Sequence, residues 1–322
     1  MFIKLLLLLS FSNLLFAKYT NCEFQNHAYE KICQDVVKRG VSYQYANEFL
    51  LSYFKTKKFD EISWKYLQPN KIKYHKKKEK QANNVLLSFV PKMIQHLKKY
   101  SKVYDYAEKK YGVNREVIAA ILLKETKLGK IKPTHDAFVV FNTILMRSNA
   151  ESSREKWLIK MAQTNMVSII THCYKKGVKP EQCNLPSSYA GAVGIPQFMP
   201  NSFIYAIAYG DGVADMTKME DAIISTANFL HQKSNFNKLI KWEKMPNIPL
   251  IEAAWYEYEF LNENSSFVYE KSKNGKIYQC FTKDKKELSY MREYVKKIMR
   301  YNNSSNYAIG VIRLAYEAHK SL

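Results

Sequence analysis

Acidic residues are scarce in this chain of 322 residues. It has 29 aspartates and glutamates against 50 lysines and arginines, which gives a formal net charge of +21. Such an excess favours contact with polyanions, such as nucleic acid, anionic lipid or an acidic wall polymer. Charge alone does not choose among these partners, because lysine also occupies ordinary solvated surfaces.

Long apolar runs are missing after the first residues. The apolar run from Leu5 to Phe16 follows a lysine and ends before Ala17, and it is short for a membrane span. It predicts a secretory signal peptide at residues 1–17, with an uncleaved N-terminal anchor as the alternative. Cys22 follows Tyr, Thr and Asn rather than small residues, so lipoprotein anchoring is not expected. We therefore predict an exported, periplasmic protein.

Cysteines number only five, and they form neither a CxxC motif nor a His/Cys metal pattern. A zinc site is therefore not expected. In an oxidising compartment the near pairs Cys22–Cys33 and Cys173–Cys183 predict two disulfides, with Cys280 left over. Free, buried thiols are the alternative reading of the same spacing.

Glycine and proline are also scarce, at ten and nine residues, and most of the chain shows helical periodicity. The pattern predicts helices over about 85–111, 115–128, 134–148, 154–175, 218–236 and 286–299, and a last one from near Asn306. Gly112 is expected to end one helix and Asn114 to cap the next. β-formers on both sides of Asn274-Gly275 predict a hairpin at 265–282. The fold class is thus mainly α with a small β-hairpin insertion at about 245–285.

A glutamate interrupts the apolar side of the segment NREVIAAILLKETKLGK, residues 114–130. On a helical wheel Glu125 falls among apolar residues: Val117, Ile118, Ile121, Leu122 and Leu128. Burial disfavours the charged carboxylate and raises its pKa, so the side chain is able to donate a proton near neutral pH. A general acid for breaking a glycosidic bond has this property. The alternative is a structural glutamate bonded to a buried arginine or hydroxyl.

Residues 187–202, SSYAGAVGIPQFMPNS, form a second unusual stretch. Small residues allow a ligand to approach the backbone closely. Ser188 and Gln197 offer hydrogen bonds and Tyr189 an apolar face, which together suit a sugar. Taken alone, the stretch fits a tight structural turn equally well.

Three segments together resemble the B-type membrane-bound lytic murein transglycosylase family. YGVNREVIAAILLKETKLGK resembles its catalytic helix, SSYAGAVGIPQFMPNSF its glycine-rich segment, and KIMRYNNSSNYAIGVIRLA its third signature, in the family's order. THDAFVVFNTI at 134–144 also fits the segment after the catalytic helix. The resemblance covers roughly 85–322 and implies a lysozyme-like α-helical catalytic core there. Residues 18–84 are left as an N-terminal helical segment of unassigned role.

The resemblance implies the site and its chemistry. Glu125 matches the catalytic acid/base. Substrate-binding positions match Ser188, Tyr189, Gln197, Tyr301, Asn302 and Tyr307. The implied reaction cleaves the MurNAc-β-1,4-GlcNAc bond of peptidoglycan glycan strands and leaves 1,6-anhydromuramoyl ends. It needs one carboxylate, whereas most glycosidases use two.

Some relatives carry a calcium loop after Q-F-M-P. Here Asp211, Asp215 and Asp221 are weak candidate ligands, but Ile207, Tyr209 and Val213 stand where oxygen ligands are expected. Calcium prefers six to eight oxygens, so calcium binding is not expected, and no other cofactor is implied.

Other functions remain as alternatives. A hydrolytic muramidase would use the same acid but add water, and a catalytically weak peptidoglycan-binding scaffold would keep only the cleft. Anionic envelope surfaces are a further expected contact because of the basic charge. Nucleic acid is not an expected partner, since the predicted export and the lack of a recognised nucleic-acid motif argue against it.

Overall fold

The computed structural model of the protein describes residues 19–56, 59–255 and 285–322. The predicted signal peptide at 1–17, the predicted hairpin at 265–282 and Cys280 lie outside these residues. Within the described ranges, no helix combines the length and the apolar character that crossing a membrane requires.

The described residues are mainly helical, as the sequence predicts. The α-helices are α1 His27–Val37, α2 Tyr43–Thr56, α3 Glu61–Tyr66, α4 Pro69–Leu87, α5 Val90–Lys99, α6 Ser101–Tyr111, α7 Arg115–Thr126, α8 Ala137–Arg147, α9 Ser153–Lys175, α10 Met219–Ser234, α11 Ile248–Trp255, α12 Lys285–Met299 and α13 Ser305–His319. Short 3₁₀ helices cover Pro180–Gln182, Pro200–Tyr205 and Trp242–Lys244, and two-residue strands cover β1 His135–Asp136 and β2 Pro186–Ser187.

Two compact units divide the chain, and each is built from two separate stretches of sequence. The first contains the described residues of Met1–Trp64 and His135–Leu185, and the second those of Lys65–Thr134 and Pro186–Leu322. The sequence-based boundary between residues 84 and 85 falls inside α4 of the second unit. The lysine-rich run at 71–80, whose composition is compatible with a solvated linker or a helix start, is part of this helix.

The periodic segment predicted as one helix over 85–111 is three helix pieces. α4 ends at Leu87, α5 begins at Val90 with Pro91 in its first turn, and α6 begins after Tyr100. Proline lacks an N–H and fits only the start of a helix, so an unbroken helix through Pro91 is disfavoured. Gly112 ends α6 in the left-handed conformation, as predicted.

The segment with Glu125, α7, is the central helix of the second unit. Every residue from Val117 to Leu123 has an exposed fraction of 0%. Helices α5, α6, α10 and α13 pack around it. The sequence predicted a single apolar stripe on this helix. In the structure the middle of α7 is buried on all sides, and polar side chains remain at its two ends.

Asn114 precedes α7 but does not cap it with its side chain. Its Oδ1 instead accepts a hydrogen bond from the N–H of Ile240 at 2.7 Å, and its Nδ2 donates to the carbonyl of Ile240 at 3.3 Å. The amide thus pairs with the backbone of a residue far away in the sequence, an interaction that local sequence does not reveal.

The first unit contains two disulfides. The structure joins Cys22 to Cys33, beside and within α1, and Cys173 of α9 to Cys183. These are the pairs that the sequence spacing suggested. Each closes a loop of about ten residues.

Candidate active site

Glu125 is the penultimate residue of α7 and is half-buried. Loss of solvent raises the pKa of its carboxyl from 4.5 to about 7. A hydrogen bond from Tyr307 and the positive charge of Lys124 act in the opposite direction, and the charge of Glu79 adds to the rise. The side chain is therefore poised to hold and release a proton near neutral pH.

The end of α7 fixes the backbone next to Glu125. Lys127, Leu128 and Gly129 are all left-handed, with φ of 50°, 59° and 79°. The N–H of Leu128 donates to the carbonyl of Leu122 at 3.1 Å, which closes the helix sharply. The Thr126 hydroxyl donates to the carbonyl of Ile195 at 2.9 Å, so the helix end is bonded to the glycine-rich segment.

Two predicted tyrosines lie close to Glu125. The Tyr307 hydroxyl donates to Oε1 of Glu125 at 2.6 Å. The Tyr301 hydroxyl donates to the carbonyl of Pro196, and its ring packs 6.0 Å from that of Phe198, centroid to centroid. Burial and then the charge of Glu125 hold the pKa of both tyrosines well above the usual value, so both stay neutral donors.

The glycine-rich segment forms a tight hairpin-like turn. Val193 and Phe198 exchange both backbone hydrogen bonds, at 2.8 and 3.0 Å. Gln197 is left-handed, with φ of 51°, and its Nε2 donates to the carbonyl of Gly194 at 2.8 Å. The side chain of Gln197 thus stabilises the strained backbone of the same residue. The segment packs beside Tyr301 through Phe198.

The remaining predicted residues lie on the same segments, with less direct links to Glu125. The Ser188 hydroxyl accepts a hydrogen bond from the N–H of Ala192 at 3.2 Å and closes a turn. Tyr189 is 36% exposed. Asn302 is exposed. Binding roles for these three stay predictions.

Sequence reasoning missed the contribution of the residues before position 85. The Tyr66 ring lies 5.3 Å from that of Tyr189, centroid to centroid, and both are partly exposed. On α4, Glu79 accepts a hydrogen bond from the Ser304 hydroxyl at 2.7 Å, and Asn83 accepts one from Lys124. The spacing of Glu79 and Asn83, four residues apart on one helix face, was visible in sequence, but nothing local indicated which element they contact.

A separate surface cavity of about 1000 Å³ lies at the other end of α7. Glu116, Trp242 and His319 line it, and it contains none of the predicted site residues. Glu116 and Glu125 are nine positions apart along the helix, which corresponds to about 13 Å. The cavity is therefore distinct from the surroundings of Glu125.

The candidate calcium ligands do not gather around one point. Both carboxylate oxygens of the buried Asp221 accept backbone N–H groups, from Tyr209 and Asp215, each at 2.8 Å. Asp215 accepts hydrogen bonds from Thr217, and Asp211 is exposed. Among the described residues no group of three potential ligands is arranged for a metal ion. The Asp221 carboxylate itself bonds the two ends of the loop.

The raised pKa of Glu125 makes a prediction about stability. Below pH 4.5 the carboxyl is neutral in the folded and unfolded chains; between 4.5 and about 7 only the unfolded chain ionises, so stability falls as pH rises. Glu125→Gln removes this penalty and is expected to increase the free energy of unfolding by about 1–3 kcal/mol above pH 7. The difference should vanish near pH 4. Urea unfolding at both pH values measures it, and the exposed Glu151→Gln is the control.

An equal effect of Glu125→Gln at pH 4 and pH 8 would contradict the raised pKa.

Comparison with known proteins gives the family. The model of the transglycosylase SLT domain family matches residues 24–316, which is most of the chain. No curated protein sequence matches.

Solved structures show the same fold at low identity. Soluble lytic transglycosylase SltB1 from Pseudomonas aeruginosa is 19% identical, with a TM-score of 0.57 over 90% of this chain and 99% of that one. SltB3 from the same organism, in complex with NAG-anhNAM-pentapeptide, is 19% identical, with a TM-score of 0.58 over 90% and 78%. Escherichia coli Slt35 in complex with calcium is 20% identical, with a TM-score of 0.53 over 92% and 94%. Because the family model spans both units and Glu125 has the environment that the motif implies, this chain belongs to the transglycosylase SLT domain family.

Proposed function

We propose that the protein is a peptidoglycan lytic transglycosylase that cleaves the MurNAc-β-1,4-GlcNAc bond with Glu125 as its single acid/base. The observation that supports this most is the half-buried Glu125, with a pKa of about 7, beside a wall of small residues. A group with this pKa is present in both protonation states at neutral pH, as one residue serving twice must be.

In the first step protonated Glu125 donates its proton to the oxygen that links the two sugars. The bond between that oxygen and the MurNAc C1 breaks, and GlcNAc leaves with a free hydroxyl. Positive charge develops at C1, where the substrate's own acetamido group is able to stabilise it. Tyr307, hydrogen-bonded to Glu125 at 2.6 Å, stabilises the carboxylate that the step produces.

In the second step the Glu125 carboxylate accepts the proton of the muramoyl C6 hydroxyl. The C6 oxygen attacks C1 and closes the 1,6-anhydro ring, so no water enters the product. Glu125 is again protonated and ready for another cycle. Tyr301 and Asn302 are proposed to orient the acetamido group, and Ser188 to bond the substrate.

Sugar binding is supported by the mixture of groups around the site. Tyr189 and Tyr66 offer adjacent, partly exposed rings on which a sugar face is able to pack. Of the similar structures, SltB3 was solved with NAG-anhNAM-pentapeptide and with NAG-NAM-pentapeptide, and Slt35 with bulgecin A. We therefore propose peptidoglycan strands as the substrate and the periplasm as the place of action.

Product analysis on purified sacculi tests the proposal. Mass spectrometry should find anhydromuramoyl ends, which are lighter by one water than hydrolysed ends. Products carrying added water would refute lytic cleavage and leave glycan cleavage intact.

A hydrolytic muramidase is the second candidate, supported by a second carboxylate, Glu79, which is connected to the acid through Ser304 and Tyr307. Glu79 lies close enough for its charge to affect Glu125. Hydrolysis generally uses a second carboxylate as nucleophile or as base for water. Hydrolysed ends that disappear in Glu79→Gln would favour this candidate.

We also propose that the protein needs no calcium, because Asp221 binds the loop directly. Asp221→Asn is expected to lower the free energy of unfolding by about 1.5–3 kcal/mol, since one buried charged acceptor is lost. Thermal melting should show this loss, and adding calcium or a chelator should leave the native melting temperature unchanged. The exposed Asp211→Asn is the control. A calcium-dependent rise in melting temperature would contradict this proposal.

A further inference from the structure

Helix α4 presents a polar face to the surroundings of Glu125. Glu79 accepts the Ser304 hydroxyl at 2.7 Å, and Ser304 caps α13 by accepting the N–H of Tyr307 at 3.1 Å. The Tyr307 hydroxyl then donates to Glu125 at 2.6 Å. Hydrogen bonds thus connect Glu79 to Glu125 through Ser304 and Tyr307, at the first turn of α13.

Lys124 places a positive charge next to the same tyrosine, Tyr307. Its Nζ donates to Oδ1 of Asn83 and lies 4.8 Å from the centroid of the Tyr307 ring. Asn83 is fixed in turn, because its Nδ2 donates to the carbonyl of Asn306 at 2.9 Å, and a Cβ on Gly310 would lie 2.5 Å from its amide. The glycine at 310 leaves room for the amide that holds Lys124.

A half-buried lysine in this position needs a reason. Burial lowers its pKa, whereas the charges of Glu79, Glu125 and Glu252 favour its charged form. If packing were the only requirement at this position, an apolar side chain would meet it without the cost of desolvating an ammonium group. The ammonium group of Lys124 and the carboxylate of Glu79, both near Tyr307, instead supply opposing fields.

Other charged groups near α7 have partners elsewhere. The described side chains on the helices packed against it bond as follows: His96 of α5 with Tyr104, Glu108 of α6 with Arg115, Asp221 of α10 with loop N–H groups, and Arg313 of α13 with Glu252 and Glu317. Tyr301 is neutral and bonded to Pro196. Lys124 and Glu79 are the charges identified as acting on Glu125 within the described part of the chain.

We propose that Glu79 and Lys124 are a pair of positioning residues of opposite charge, placed against the Tyr307–Glu125 hydrogen bond, that together set the pH range in which Glu125 works. The proposal rests on the proposed function, in which Glu125 must donate and then accept a proton. Glu79 disfavours a second negative charge nearby, and Lys124 favours it. Neither side chain needs to contact the substrate.

The test measures the titration of Glu125 directly, so it does not depend on activity. The full chain is labelled with ¹³C at the glutamate carboxyls, and the Glu125 signal is identified by its absence in Glu125→Gln. The titration midpoint is expected to fall by about 0.5–1 pH unit in Glu79→Gln and to rise by a similar amount in Lys124→Met. The double variant should return close to the native value, and the exposed Lys127→Met should leave it unchanged.

The alkaline limb of the kcat/KM profile on soluble glycan strands should move with the same two signs. Shifts of the same sign in both variants, or no shift in Glu79→Gln, would overturn the proposal. If Lys124→Met does not fold, Glu79→Gln alone decides, because the Gln side chain keeps the Ser304 hydrogen bond. Lys124→Arg, which retains the charge, should restore the native midpoint. A correct titration with no glycan cleavage would refute the proposed function and leave the charge pair intact.

Discussion

Glu125→Gln is expected to reduce glycan cleavage at least about 1000-fold, because an amide neither donates a proton to the leaving oxygen nor accepts one from the C6 hydroxyl. The substitution keeps the shape of the side chain and leaves an oxygen to accept the Tyr307 hydroxyl. The fold should therefore be intact. Release of soluble muropeptides from sacculi measures the rate, and circular dichroism confirms folding.

A binding measurement distinguishes loss of catalysis from loss of substrate binding. Co-sedimentation with sacculi should be the same for the native protein and Glu125→Gln, since the substitution removes no positive charge from the surface. A Gln variant that retains even a tenth of native cleavage would show that another residue supplies the proton.

Gly194→Ala is expected to disrupt the glycine-rich segment that is bonded to the end of α7. Gly194 has a φ of 74°, and an added Cβ would lie 2.3 Å from Cβ of Met216 and 2.6 Å from its carbonyl oxygen. The loss of unfolding free energy should be about 2–4 kcal/mol, from backbone strain together with overpacking against backbone atoms. Urea unfolding measures the loss, and cleavage of sacculi should fall with it because Gln197 and Pro196 are displaced.

Gly177 supplies the matched control. It has a φ of 65°, but an added Cβ would meet no atom within 4 Å. Gly177→Ala should therefore lose only the strain of a left-handed alanine, about 1 kcal/mol, and keep its activity. Equal losses in the two variants would show that the close approach to Met216 does not matter.

Sequence predicted the parts of the site whose signal is local. The helical periodicity of α7, the carboxylate within it and the small-residue segment are all readable from short windows, and the two tyrosines followed from the family resemblance. The extent of burial was not predicted. The wheel placed apolar residues on one side, but α7 is surrounded by four helices, and this packing removes solvent from Glu125 and raises its pKa.

The sequence alone did not predict the division into two units or the role of α4. The lysine-rich run at 71–80 is compatible with a solvated linker or a helix start, and the structure shows that it lies in α4 together with Asn83. The contacts from Glu79 to Ser304 and from Lys124 to Asn83 join residues 225 and 41 positions apart. Local pattern gives no information on such pairs, because their proximity arises from how helices pack.

The amino-acid sequence by itself determined the helical class, the acid at position 125 and the small-residue turn, since these depend on periodicity and on residue types within one segment. The tertiary structure decided how strongly that acid holds its proton. Lys124 is the neighbour of Glu125 on α7, but desolvation, the Tyr307 hydrogen bond and the charge of Glu79 come from other helices, and they act on Glu125 only once those helices are packed together.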